Sequence, residues 1–357
     1  MADHRYALIM AGGRGTRFWP RSRKRNAKQV LRFFGERSLI QQTVDRLREV
    51  VPPENVWVIT NDFLQSEIRS QLPEVPAAQI IAEPAQRNTM PCIALAAQII
   101  QERDDEAIMG VFPSDHLITK EPHFCEFVEA AFEGAESKTV VVLGIQPRWA
   151  ETGYGYIEFP RDVTPGTKET VSVASFREKP DAETATQFLE SGNFFWNAGM
   201  FFWKTAKVLD LVRHHQPKTA TLLAGLPAFG SDEFDGRLAE AFPLCDNISV
   251  DYALLEKIPD VSGIALDDIG WSDVGSWEAV YDLADKDAAG NAYSADLIAL
   301  DSHGNYVSSS KTVALVDVDN LIIVDTPDAL LIANRSKAQD VSKIVKMLEN
   351  KGREELL

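Results

Sequence analysis

Short runs of Val, Ile and Leu alternate with segments of helical period through the first 145 residues, and no other feature constrains the fold as tightly. Residues 7–10, 56–60, 80–82, 107–112 and 139–144 read as buried strands. Between them Ile40, Val44 and Leu47 recur at helix spacing, residues 91–101 read as a helix with Pro91 in its first turn, and residues 124–135 read as another. This alternation predicts an α/β fold: a Rossmann-like, mostly parallel sheet with helices on both faces. Ligands of such sheets bind beyond the carboxyl ends of the strands. Residues 146–285 are more mixed and read as an insertion that completes the sheet and covers a second ligand.

After about Asn291 short apolar segments (297–300, 312–316, 321–324, 329–333) are separated by Asp, Asn, Gly and Pro. They predict a small β-rich, solenoid-like module closed by a helix. Ser336 and Gln339 are spaced for a capping box, and Val341, Ile344, Val345 and Leu348 form one apolar stripe. Such a stripe leads us to expect a homodimer. The chain divides into a catalytic domain, 1–287, and a C-terminal module, 288–357. The roughly 70 residues after Asp287 are too few for a second catalytic domain.

Hydrophobic residues make up 45% of the chain, enough for a sizeable core, yet no apolar run approaches the ~20 residues that span a bilayer. The apolar stretch 6–10 is too short for a signal-peptide core, so a cytoplasmic location is expected. Cys92, Cys125 and Cys245 lack metal-ligand spacing and read as buried reduced thiols. A net charge of −17 argues against nucleic acid or an anionic membrane as partner. Against that background residues 14–32 carry Arg14, Arg17, Arg21, Arg23, Lys24, Arg25, Lys28 and Arg32 with no Asp or Glu among them. Such a run could be a solvated face, but a Gly-rich turn stands at its head and aromatic interleaving is missing. A phosphate pocket fits better.

The turn is Ala11-Gly12-Gly13-Arg14-Gly15-Thr16-Arg17-Phe18-Trp19-Pro20. Glycines let consecutive backbone N–H groups point inward as an anion nest. It lacks the Gly-Lys-Ser/Thr ending of a Walker loop, and Phe18 stands where a dinucleotide fingerprint has its third glycine. Residues 12–29 closely resemble the signature of nucleoside-diphospho-sugar pyrophosphorylases, in particular mannose-1-phosphate guanylyltransferases, with Ala27-Lys28-Gln29 where that family usually has Pro-Lys-Gln. The resemblance runs from about residue 5 to 350. It implies GMP transfer from GTP to mannose 1-phosphate, giving GDP-mannose and pyrophosphate, with Mg²⁺ as cofactor. Arg17 and Lys28 would bind the triphosphate, while Gly12, Gly13, Arg14, Gly15 and Thr16 cradle it.

Further motifs follow in the family's order. Glu83 opens Glu83-Pro84-Ala85-Gln86-Arg87-Asn88-Thr89; a carboxylate can accept both N1–H and N2–H₂ of guanine, where similar uridylyl- and thymidylyltransferases tend to have Gln. Asn88 and Thr89 are read as nucleotide contacts and equally as helix caps. Phe112-Pro113-Ser114-Asp115-His116 closes a strand; Ser114 is read as a nucleotide contact, and Asp115 can hold Mg²⁺. Family resemblance pairs Asp115 with Asp273 of Gly270-Trp271-Ser272-Asp273 as the metal ligands. His116 is not needed as a base, because the nucleophile would already be a phosphate anion. Lys179 of Phe176-Arg177-Glu178-Lys179-Pro180 suits the sugar phosphate, with Glu178, Asn197 and Gly155 on the hexose. Ser249-Val250-Asp251-Tyr252 reads equally as a helix start or a substrate contact. Two alternatives stand beside this reading: a uridylyl- or thymidylyltransferase acting on glucose 1-phosphate, and a catalytically silent nucleotide-sugar sensor. A sensor would be expected to have lost Lys28, Asp115, Lys179 or Asp273, and all four are present.

Overall fold

The computed structural model describes residues 4–357; the first three residues of the expected 1–287 domain lie outside the described residues. Seven strands form the backbone of the main sheet: β1 Arg5–Met10, β2 Val56–Asn61, β3 Ile80–Glu83, β4 Ile108–Pro113, β5 Val140–Ile145, β6 Phe194–Lys204 and β7 Val261–Ala265. Their spatial order is β3-β2-β1-β4-β6-β5-β7. The β3/β2, β2/β1, β1/β4 and β5/β7 pairs are parallel, and β6 lies antiparallel between β4 and β5. The aromatic-rich segment of the middle region is thus the strand that completes the sheet.

The strands are near-continuous Val/Ile/Leu runs because both faces are covered. In β1, Leu8 packs toward one face with the helix Thr89–Arg103, while Ala7 and Ile9 pack toward the other with the helices Leu39–Leu47 and Glu121–Ala135. Strand order reverses across β1 and β4, and the loops after β1, β3 and β4 carry three of the motifs. That crevice is where an open α/β sheet binds ligands.

Strands β8 Ala292–Leu300, β9 Tyr306–Val316, β10 Leu321–Asp325 and β11 Leu330–Asn334 make the C-terminal sheet, parallel from β8 to β10 and antiparallel at β11. The capping box expected at Ser336 and Gln339 does not form. Asn334 takes the cap by accepting from the Ser336 N–H, and a 3-10 turn, Arg335–Asp340, precedes the final helix Val341–Asn350. Most of the stripe of that helix is covered within the chain, with Ile344 left exposed. Val341 and Val345 are buried, and Leu348 packs beside them, in one core with Phe18, Trp19, Trp277 and Tyr306. The module therefore docks on the base of the glycine-rich turn. All three cysteines are free thiols, Cys92 and Cys245 buried and Cys125 half-buried. Among the described residues no helix is long and apolar enough to cross a membrane.

Candidate active site

The turn after β1 is built to present N–H groups. Its carbonyls are held from behind by side chains. Gln29 donates to the Ala11 and Gly13 carbonyls at 2.7 and 3.0 Å, Asn61 and Gln86 to that of Gly12 at 3.3 and 3.2 Å, and Ser22 to that of Arg14 at 2.8 Å. Among the described residues no protein acceptor takes the backbone N–H of Gly12, Gly13, Arg14 or Gly15. Gly15 is left-handed at φ 60°, and a Cβ there would lie 2.6 Å from that of Lys28. Glycine at that position therefore lets Lys28 close under the turn.

Lys28 is buried, and its ammonium lies 2.8 Å from the Asp115 carboxylate while also donating to the Asp273 carbonyl. Residues 28, 115 and 273 thus meet at one point. Desolvation pushes the Asp115 carboxyl upward, but Lys28, with His116 and Arg17, holds it below the usual range. The Tyr154 hydroxyl lies against Asp273; desolvation and that carboxylate push its ionisation far up, so it stays a donor. Backbone strain gathers here. Asn88, Lys179 and the β-branched Val274, next to Asp273, are three of the six non-glycine residues with positive φ among the described residues.

Two cavities adjoin, sharing Met10, Thr89 and Pro113 in their walls. The first, of about 540 Å³, is lined by Gly12, Gly13, Glu83, Asn88, Thr89, Ser114 and Asp115. Glu83 is buried there, and its Oε2 has no partner among the described residues. Desolvation raises its carboxyl to about 8. Gly12 must be small, because a Cβ would come within 2.8 Å of Glu83 Oε1. Asn88 caps the following helix by accepting from the Thr89 N–H, and Thr89 Oγ1 accepts from the Val250 N–H.

The second cavity, of about 240 Å³, is lined by His116, Tyr154, Gly155, Glu178, Asn197, Asp251 and Asp273, among others. Asn197 donates to Asp251 at 3.1 Å and accepts from the Gly199 N–H at 3.0 Å. Desolvation, reinforced by Glu178, raises Asp251 to about 6. The motif around Asp251 was visible in the sequence, but its twin reading as a helix start concealed that the side chain faces this cavity. Lys179 sits half-exposed 2.8 Å from the well-buried Glu178 carboxylate. Desolvation lowers its affinity for a proton, and Glu178 more than restores it. His116 is depressed to about 4, chiefly by desolvation.

The basic run divides. Lys28 turns into the site, whereas Arg14 pairs with Glu349 at 2.8 Å, Arg23 with Asp328 at 2.9 Å and Lys24 with Glu354 at 2.6 Å. Arg17 donates to Gln339 at 3.1 Å while remaining within electrostatic reach of Asp115. All four partners lie in the C-terminal module. Thr16 is half-buried in the short turn between Gly15 and Phe18. A larger cavity of about 770 Å³, at the β3 edge between Asp62, Arg69, Phe229 and Asp235, takes only Pro84 from the motifs and none of the candidate site residues.

Among the described residues no three His, Cys, Asp or Glu side chains cluster as a metal site. The Lys28 cation is held by the Asp115 carboxylate and the main-chain carbonyl of Asp273, which brings these two acidic residues to one place. That suits a hard divalent ion that also takes phosphate oxygens.

A row of free N–H groups, a buried lysine and two aspartates at the switch point of a mixed sheet define a nucleotide-handling transferase. The chain belongs to the nucleotidyl transferase family, whose model matches residues 6–290. The model of a MannoseP isomerase/GMP-like beta-helix domain matches residues 295–348. The chain is similar to the mannose-1-phosphate guanylyltransferases of Escherichia coli (40% identity) and Klebsiella pneumoniae (39%), in each case over 98% of this chain and 74% of the relative. A crystal structure described as a mannose-1-phosphate geranyltransferase, from Thermus thermophilus, matches with a TM-score of 0.85 at 30% identity, covering 97% of this chain and all of that one.

Proposed function

We propose that the protein transfers GMP from GTP to α-D-mannose 1-phosphate, giving GDP-mannose and pyrophosphate. One observation carries this reading: the Lys28 ammonium contacts the Asp115 carboxylate and the Asp273 main-chain carbonyl, and these two residues line the two adjoining cavities, one each. The larger cavity is assigned to GTP and the smaller to the sugar phosphate. The unpartnered Glu83 oxygen would accept from guanine, and the free N–H groups of the turn would take phosphate oxygens.

A phosphate oxygen of the sugar phosphate attacks the α-phosphorus in line, and the pyrophosphate bond opposite breaks. The nucleophile is already anionic, so no side chain need remove a proton. Catalysis is positioning plus charge neutralisation. Lys28 and Arg17 hold the leaving pyrophosphate. Lys179, paired with the Glu178 that lines the small cavity, offsets repulsion between the two anions, while Glu178 and Asp251 accept sugar hydroxyls. Asn197 supports them by fixing Asp251, and Gly155 leaves room beside the hexose. Ser114, Asn88 and Thr89 complete the nucleotide wall. Mg²⁺ held by Asp115 and Asp273 would supply positive charge to the reacting phosphates.

We assign residues 1–287 to catalysis and 288–357 to the module that braces its loop. The exposed Ile298, Leu300, Val316, Leu330 and Ile332 of the module support a homodimer formed through that sheet. A cytoplasmic setting fits three free thiols. The deciding assay measures pyrophosphate release from GTP, UTP, dTTP and ATP, each with mannose 1-phosphate and glucose 1-phosphate. GTP with mannose 1-phosphate is expected to lead. Preference for UTP or dTTP with glucose 1-phosphate would replace this reading, and silence with every pair would favour the sensor.

A further inference from the structure

The small cavity has an imbalance of hydrogen-bonding groups. Glu178, Asp251 and Asp273 present carboxylates to it. Asn197 gives one of its two amide hydrogens to Asp251 and its oxygen to the Gly199 N–H. The Tyr154 hydroxyl is turned to Asp273. A hexose hydroxyl both donates and accepts, so carboxylates satisfy only half of what it offers. The one spare amide hydrogen of Asn197 does not balance three carboxylates, so the wall needs a further neutral donor.

His116 fits that need by construction. The Trp271 indole N–H can only donate, and it does so to His116 Nδ1 at 3.2 Å. Nδ1 must therefore be the bare nitrogen, which leaves the hydrogen on Nε2. The rings stand edge to face, 5.3 Å between centroids and 87° between planes, so the imidazole is fixed in orientation as well as tautomer. No protein group among the described residues takes up Nε2, and it is not among the buried atoms left without a partner. It opens on the cavity that His116 lines.

Resting on the sugar-phosphate assignment of this cavity, we propose that His116 is a specificity-determining residue whose Nε2–H donates to one hydroxyl oxygen of the hexose. Trp271 is its positioning residue, holding the donor tautomer toward the ligand. A buried donor of this kind discriminates strongly against a sugar that lacks its acceptor, because the N–H is then left unpaired.

The test compares wild type, His116→Phe, His116→Gln and Trp271→Phe in steady-state kinetics, with mannose 1-phosphate and its 2-, 3-, 4- and 6-deoxy analogues. His116→Phe is expected to raise KM for mannose 1-phosphate by about tenfold, the worth of one such hydrogen bond, with KM for GTP unchanged. Glutamine, whose amide N–H reaches the same position, should recover most of the loss, and Trp271→Phe should share it in part. One deoxy analogue should be poor for wild type and no poorer for His116→Phe than mannose 1-phosphate is. A uniform penalty across all analogues would assign the donor to the phosphate and overturn the proposal, as would a wild-type KM in His116→Phe. A wild-type protein inert toward mannose 1-phosphate would instead overturn the cavity assignment and this proposal with it.

Discussion

The ammonium of Lys28 lies 2.8 Å from the carboxylate of Asp115, 87 residues away, and Asp115 lines the larger of the two adjoining cavities. Lys28→Met should therefore lower kcat by about 10²–10³-fold, the usual cost of removing one preorganised charge from a transition state. The same change leaves Asp115 without its counter-charge and should lower the melting temperature. Adding Asp115→Asn should restore the melt but not the turnover, which steady-state kinetics and calorimetry on the pair would show.

Glu83 gives a pH signature. Its buried carboxyl is raised to about 8, so it is largely protonated at neutral pH before ligand arrives. A carboxylate accepts two guanine donors, and a protonated carboxyl accepts them less well. KM for GTP should thus fall as pH rises through about 8, and Glu83→Gln should flatten that dependence. It should also cost about 1–3 kcal/mol of discrimination against other bases, typical of one bidentate base contact. The stability sign is opposite. A folded-state value above the unfolded one favours the fold at low pH and loses that benefit as pH climbs through about 8. Glu83→Gln should then gain stability relative to wild type above pH 8 and show no such gain near pH 4.

Arg14 and Glu349 pair at 2.8 Å across 335 residues, and Arg17, Arg23 and Lys24 reach the same module. Each pair is exposed enough that its worth to stability is about 0–1 kcal/mol. Glu349→Lys should therefore barely move the melting temperature. It should raise KM for GTP several-fold by releasing the loop, while KM for mannose 1-phosphate stays put. Equal changes in both constants would show that the module does not act through this turn.

The hydrophobic seam beneath those pairs predicts a single cooperative transition. Val341 and Val345 share one core with Phe18 and Trp277, so module and catalytic domain cannot melt independently without exposing it. Val345→Asp places an unpartnered carboxyl in that core. It should lower the one calorimetric transition rather than split it, and GTP binding should weaken in parallel.

Much of this architecture was legible because the first five strands of the main sheet and their helices are local patterns. β1 to β5 are runs whose periodicity needs no knowledge of partners. The pairing of β6 was not legible. Phe194–Lys204 inserts antiparallel between strands some 80 and 50 residues earlier, a choice made by tertiary packing. The docking of the module escaped too, since nothing local links Arg14 to Glu349 or Val345 to Phe18. The cap at Asn334 prevailed over Ser336 because the last strand delivers an Asn side chain directly to the N–H of Ser336. In the site, Glu83, Asp115 and Asp273 stood out by motif. The tautomer of His116 needed Trp271, 155 residues away, to become visible.

The central claim is that Asp115 and Asp273 act on one ion between two phosphates. Electron paramagnetic resonance of Mn²⁺ titrated into the protein with a non-reacting GTP analogue tests it most directly. Wild type should bind one Mn²⁺ tightly, and Asp115→Asn and Asp273→Asn should each abolish that tight site. Retention of wild-type Mn²⁺ affinity by either variant would contradict the account.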